Sequence, residues 1–316
     1  LYDKSIEYYN KSLKIVSTTE DDVKKSRIMN QIGNLNVKMS NYDIALDHFD
    51  QSKKIKEKID DQLGIGFSKF GEAKVFFFQG EYSKSENLLQ QCVDIGKKFN
   101  KSILVGDANY YLAQIQLNKN KFKQAMSYID GAIDLTLENK HTLKSRLAKY
   151  SDCKGMIYKF KGDLEKAMEM HEKAYSISKV INDKHGLRKY LNNKGLIFEE
   201  LADFEKSINI YKECLSIAIE MDEKRAICVS HCNIGCVLEY QGFLDESFKH
   251  FKKAYQLSKK IGYKAGIGGY GNNLAQILIK KENYTKAIPI LTGSLKLLKE
   301  LEAIDCMSCL IRKHIG

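Results

Sequence analysis

This 316-residue chain nearly lacks two residue types: it has a single proline, Pro289, and no tryptophan. Proline breaks helix interiors, so a long chain with one of them is easily built from helices and awkwardly from sheets joined by many tight turns. No uninterrupted apolar run approaches the roughly 20 residues needed to cross a bilayer. The opening Leu1-Tyr2-Asp3-Lys4-Ser5 has neither a basic start nor an apolar stretch, which argues against a signal peptide. The eight cysteines fall inside helical patterns rather than in loops, so reduced thiols are expected instead of a disulfide framework, and the expected location is cytoplasmic.

Recognisable reaction machinery is missing too. The sequence has no phosphate loop, dinucleotide fingerprint, nucleophile elbow or clustered His/Asp/Glu set, and its seven histidines are scattered. Cys228, Cys232 and Cys236 fall every four residues beside His231, but one helix face offers collinear ligands where tetrahedral zinc needs convergent ones. Cys306-Met307-Ser308-Cys309 has the spacing of a redox pair without the strand-helix context. The glycine-rich Gly266-Ile267-Gly268-Gly269-Tyr270-Gly271 starts a repeat helix instead of cradling a phosphate. The expectation is therefore no enzyme within these residues, no cofactor and no metal.

What is present is balanced and periodic. Hydrophobic residues make up 43% and charged residues 29%, values typical of a folded protein. Small residues recur at Gly33, Ala73, Ala113, Gly155, Gly195, Gly235 and Ala275, spaced by 40 residues except for one interval of 42. Twelve residues after each stands another small one: Ala45, Ser85, Ala125, Ala167, Ser207, Ser247 and Ala287. Four further on comes a larger side chain (Phe49, Leu89, Ile129, His171, Tyr211, Phe251, Leu291), and three beyond that a third small one (Ser52, Cys92, Ala132, Ala174, Cys214, Ala254, Ser294). Small residues let two helix backbones approach, and the large one fills the hole between neighbouring pairs. An aliphatic two residues after each first small position marks a buried stripe, and Asn41, Asp163, Asp203 and Asn283 are placed to cap the second helices.

This pattern resembles the tetratricopeptide repeat family over essentially the whole chain. The 40-residue period exceeds that family's usual length of about 34, and the closest likeness is to the 40-residue subclass of Pins/LGN-type scaffolds and kinesin light chains. The resemblance implies an all-α, right-handed α-solenoid of antiparallel helix pairs. Seven full repeats are expected, over 24–60, 63–100, 103–140, 145–182, 185–222, 225–262 and 265–301, with half repeats at 1–20 and 303–316, forming one domain over 1–316. The family's leucine before the small residue is replaced by Glu72, Lys154 and Lys194, so looser packing is expected there. The unpaired, uncapped ends suggest the repeat portion of a longer protein, or end faces covered by a partner.

In such repeats the first helices line a concave groove, which implies a protein or peptide ligand and a candidate site of Asn30, Asn34, Lys74, Phe78, Tyr110, Gln114, Asn192, Asn193, Asn233, Asn272, Asn273 and Gln276. A primary amide both donates and accepts, so an asparagine ladder can grip an extended backbone; the same amides could instead bond neighbouring repeats together. The aromatic cluster Phe70, Phe77, Phe78, Tyr110, Tyr111 and Phe160 could anchor a partner, or could be core. The net charge is +11, yet the groove positions mix lysines with Asp152, Glu199, Glu200 and Glu239. That mixture places the excess on the outer faces and argues against a nucleic-acid surface. Two functions remain: an interaction scaffold, or the sensor arm of a larger effector such as a caspase-like peptidase, kinase, cyclase or DNA-binding protein.

Overall fold

The computed structural model describes residues 2–19, 21–138 and 144–300. The described residues are helical apart from short connections, with no strand among them. The expected half repeat at 303–316, the Cys306/Cys309 pair and two of the histidines, His141 and His314, lie outside them.

The chain divides after Asp163 into two compact units. The first holds α1 (Tyr2–Val16), α2 (Asp22–Lys38), α3 (Tyr42–Lys58), α4 (Gln62–Phe78), α5 (Tyr82–Lys98), α6 (Ser102–Asn118), α7 (Phe122–Glu138) and α8 (Lys144–Phe160). The second holds α9 (Leu164–Val180), α10 (Lys184–Glu200), α11 (Phe204–Glu220), α12 (Lys224–Tyr240), α13 (Leu244–Lys260), α14 (Lys264–Lys280) and α15 (Tyr284–Glu300). Within each unit successive helices pack against one another. In the first unit the even-numbered helices also touch their even-numbered neighbours, α2 with α4, α4 with α6 and α6 with α8, which makes them the inner layer.

Each helix from α2 onward is 17 residues long. Every three-residue connection joining them has its middle residue at positive φ: Ser40, Asp60, Gly80, Asn100, Asn120, Gly162, Asn182, Ala202, Asp222, Gly242, Gly262 and Glu282. A left-handed residue just past a helix end lets the following amides reach back to the orphan carbonyls. Asn41 N, for instance, donates to Asn36 O at 2.9 Å and Asp61 N to Lys56 O at 2.9 Å. The hairpin geometry therefore repeats every 20 residues, half the sequence period.

The small-large-small pattern packs as its spacing predicts. Phe49 is fully buried, wedged between Gly33 of its own hairpin and Gly71 of the next. A Cβ at those glycines would come within 2.6 and 2.3 Å of the Phe49 ring. Gly195 faces Tyr211 in the same way, at 2.5 Å. The small residues of the second helices also do more than leave room. Ser85, Ser207 and Ser247 hydroxyls donate to the carbonyls of Ala73, Gly195 and Gly235 at 2.8, 3.0 and 2.8 Å. Each bond ties a second helix to the centre of its own first helix.

Two local expectations are revised. Asn41 does not cap α3 with its side chain; its amide donates to Asn36 Oδ1 at 3.3 Å. Asp203 does cap α11, and Asp21, Asp61 and Asp183 cap the first helices α2, α4 and α10. The charged replacements of the family leucine form ion pairs with the preceding helix. Glu72 binds Lys53 at 2.7 Å, Lys154 binds Asp130 at 2.8 Å, and Lys194 binds Glu172. Glu72 is only 9% exposed, so the junction there is closed by charge pairing and not left loose. Pro289 lies inside α15, on an exposed face.

Candidate functional site: the inner helix layer

The inner helices of the first unit enclose a recess of about 530 Å³. Its wall includes Arg27, Asn30 and Asn34 on α2, Lys56 on α3, Phe67, Phe70 and Lys74 on α4, Asp107 on α6 and Arg146 on α8. Together with Lys101 the lining carries five cationic side chains against two carboxylates, Asp61 and Asp107.

Both carboxylates are engaged. Asp61 accepts from Gly64 N at 2.8 Å as the cap of α4. Asp107 receives Arg146 Nε and Nη2 at 3.0 and 2.9 Å on one oxygen and the Tyr150 hydroxyl at 2.8 Å on the other. Lys56 is 2% exposed and donates to Ser68 Oγ at 2.9 Å, and Ser68 in turn donates to Asn30 Oδ1 at 3.0 Å. Burial pushes the Lys56 ammonium down to about 8, Arg27 adding to the fall and Asp61 opposing it. Lys74 donates to Asn34 Oδ1 and lies 5.4 Å from the Phe70 ring centre. Burial also lowers its pKa to about 8, helped by Lys149 and Lys38 and opposed by Asp107. A lysine whose pKa falls this way has lost more hydration than its neighbouring carboxylates replace. The recess is therefore an electropositive cavity whose lining also includes apolar side chains.

Next to it the aromatic cluster divides. Tyr110 is 7% exposed and belongs to the core with Tyr150, so alanine there would remove core packing. Phe70, Phe77 and Tyr111 pack edge to face, Phe77 and Tyr111 at 5.1 Å. Phe78 and Phe160 are half exposed at the ends of α4 and α8. Lys149 Nζ sits 3.8 Å from the Tyr110 ring centre. Gln114 Nε2 is buried without a hydrogen-bond partner.

In the second unit Asn233 donates to Asn192 Oδ1 at 2.8 Å, and Asn273 donates to Cys232 Sγ at 3.3 Å. With Asn30–Ser68 and Asn34–Lys74 in the first unit, these bonds all run between successive first helices. Asn193 is 9% exposed, while Asn272 and Gln276 are half-buried on α14. Cys228 and Cys232 are buried; desolvation raises the Cys228 thiol to about 11. Among the described residues no group of three His, Cys, Asp or Glu side chains is placed to hold a metal ion.

Sequence reasoning missed Arg27, Lys56, Asp107 and Arg146. Arg27 and Asp107 stand six residues before the small positions Gly33 and Ala113, one turn upstream of the registers taken to face the groove. Extending the same helical stripe by one turn would have found both.

Residues 145–220 match a tetratricopeptide repeat family model. Those residues carry tetratricopeptide repeats, and the described chain as a whole has a tetratricopeptide-type fold. No curated protein matches it at significant similarity. Solved tetratricopeptide structures of similar fold include the apo quorum sensor NprR from B. thuringiensis, at 13% identity and TM-score 0.72, covering 94% of this chain and 83% of that one. Another is the Rap conjugation gene regulator of the plasmid pLS20 in complex with a Phr peptide, at 13% identity and TM-score 0.68, covering 92% and 78%. A third is a signal transduction ATPase with numerous domains and a tetratricopeptide repeat sensor from Pyrococcus horikoshii. It is 13% identical with TM-score 0.67 over 96% of this chain, which spans 45% of that larger one. At these identities the likeness is one of fold. Among the described residues no helix is long and apolar enough to cross a membrane.

Proposed function

We propose that the inner helix layer of the first unit binds an extended peptide carrying an acidic group, and that these residues act by binding without a catalytic step. The observation that carries this reading is the recess itself: five cations face two carboxylates already occupied within the fold, and burial holds Lys74 and Lys56 near pKa 8. A peptide carboxylate would pair with them through charge-assisted hydrogen bonds. Asn30, Asn34, Asn192, Asn233 and Asn273 keep donor or acceptor capacity beyond the bonds they make between repeats, leaving them able to reach a peptide backbone. The interleaved Asp61 and Asp107 argue against nucleic acid, which wants an uninterrupted basic face. Free, mostly buried cysteines suit a reducing, cytoplasmic setting.

A second reading has one observation in its favour: a multidomain ATPase uses a tetratricopeptide sensor of this fold as a part of its chain. As the sensor of a larger effector this unit would bind its ligand in the same recess.

The test is a random peptide library displayed against the immobilised chain, followed by anisotropy of the recovered, labelled peptides. Recovered peptides are expected to be rich in Asp and Glu. Lys74→Met, which keeps the aliphatic stem, should weaken them about tenfold, the scale of one lost charge-assisted pair, with helical content unchanged. Because Lys74 must be charged, affinity should also fall as the pH rises through about 8. Equal affinity in wild type and variant, or no recoverable peptide, would overturn the reading.

A further inference from the structure

The inner helices of the second unit end on the opposite chemistry. Glu199 and Glu200 are the last residues of α10, Tyr240 is the last of α12, and Phe204 opens α11. Their four side chains line a shallow recess of about 220 Å³. The Phe204 and Tyr240 rings lie nearly parallel, 9° apart in plane with centroids at 6.3 Å, and Tyr240 is half exposed. The Tyr211 hydroxyl donates to Glu199 Oε2 at 3.0 Å and so fixes the orientation of that carboxylate. Burial raises the Tyr240 phenol, and the nearby Glu199, Cys236 and Glu239 push it further, so the ring stays neutral in a negative field.

Three sources of attraction for positive charge therefore meet in one place. Two carboxylates flank the rings. The faces of aromatic rings attract cations through their quadrupole. The last turns of α10 and α12 add the partial negative charge of helix C-termini. A hydrated metal ion would gain nothing from the two rings. A planar guanidinium uses all three, since it stacks on a ring while forking to a carboxylate.

We infer that this recess is a subsite for the guanidinium of an arginine side chain on a bound peptide. The inference rests on the reading of inner helices as peptide-binding and names what those of the second unit select. It is independent of Lys74 and the electropositive recess of the first unit.

The experiment uses the full chain carrying ring-¹³C tyrosine, titrated with N-acetyl-arginine amide; the Tyr240 resonance is assigned by its loss in Tyr240→Phe. The resonance should move saturably, and N-acetyl-glutamine amide should leave it in place. The double variant Glu199→Gln/Glu200→Gln, which keeps an acceptor for Tyr211, should raise the midpoint about tenfold or more, as expected for lost charge-assisted bonds. A Tyr240 signal unmoved by the arginine amide, an equal midpoint in the double variant, or a stronger response to calcium chloride would each overturn the inference. If Tyr240 stays silent while acidic peptides still depend on Lys74, the subsite alone fails. If Tyr240 responds but no peptide depends on Lys74, the peptide-groove reading fails instead.

Discussion

His231 on α12 and His250 on α13 approach with Nδ1 to Nδ1 at 3.1 Å, so one ring must donate to the other while both are neutral. Burial lowers the His231 pKa to about 4, and its partner His250 and Lys253 lower it further. His250 is lowered by burial, Lys253 and Lys212. A histidine depressed on folding contributes nothing adverse above its unfolded pKa near 6.5. As pH falls from 6.5 toward 4 the unfolded chain takes up the proton and the folded chain does not, so stability is lost across that window. Urea midpoints should drop between pH 6.5 and pH 5, where few carboxylates titrate, by the equivalent of about 1–2 kcal/mol. His231→Gln should shrink the drop; an unchanged drop would show that the pair does not carry it. At this scale the sequence was legible where one residue type has one job. The recurring small residues could be recognised from spacing alone. Capping was not: Asn41 and Asp203 look equivalent in the sequence, yet only Asp203 bonds the amide three residues on, while Asn41 finds Asn36. Nor could spacing show that His231 meets His250, because that contact joins two helices.

Among the elements, hairpins lock together where one large side chain enters two helices' glycines. Phe49 touches Gly33 and Gly71, one on each side of a repeat boundary. Gly71→Ala gains helix propensity of about 1 kcal/mol, but its Cβ would stand 2.3 Å from a ring that has no exposed side to move toward. Overpacking of this kind costs about 1–3 kcal/mol, so net destabilisation is expected in chemical denaturation. In a Phe49→Leu background the clash disappears and the same Gly71→Ala change should stabilise. A double-mutant cycle with no coupling would contradict this account of the boundary. The order of the described helices was legible from the 40-residue register. The finer 20-residue rhythm of left-handed turn residues was not, because Ser, Asp, Asn, Ala, Gly and Glu all occupy the turn position and share no sequence signature. Glu72, Lys154 and Lys194 misled for a related reason: each is polar where the family is apolar, and its compensating partner lies on the preceding helix 19 to 24 residues upstream.

At the scale of the molecule, each unit is a stack of helix hairpins, with an electropositive recess in the first unit and a carboxylate-aromatic one at α10–α12 in the second. The sequence pattern does put the candidate groove residues on the even-numbered helices. The charge of the first unit's recess was not legible, because the total of +11 says nothing of placement and the stripe was read one turn too short to include Arg27 and Asp107. The most direct measurement is photo-crosslinking of a peptide selected on the full chain, with a diazirine residue at each position in turn and the adducts mapped by mass spectrometry. The account predicts adducts on α2, α4 and α6, centred on the residues around Lys74. Adducts confined to the outer helices α3, α5 and α7 would contradict it.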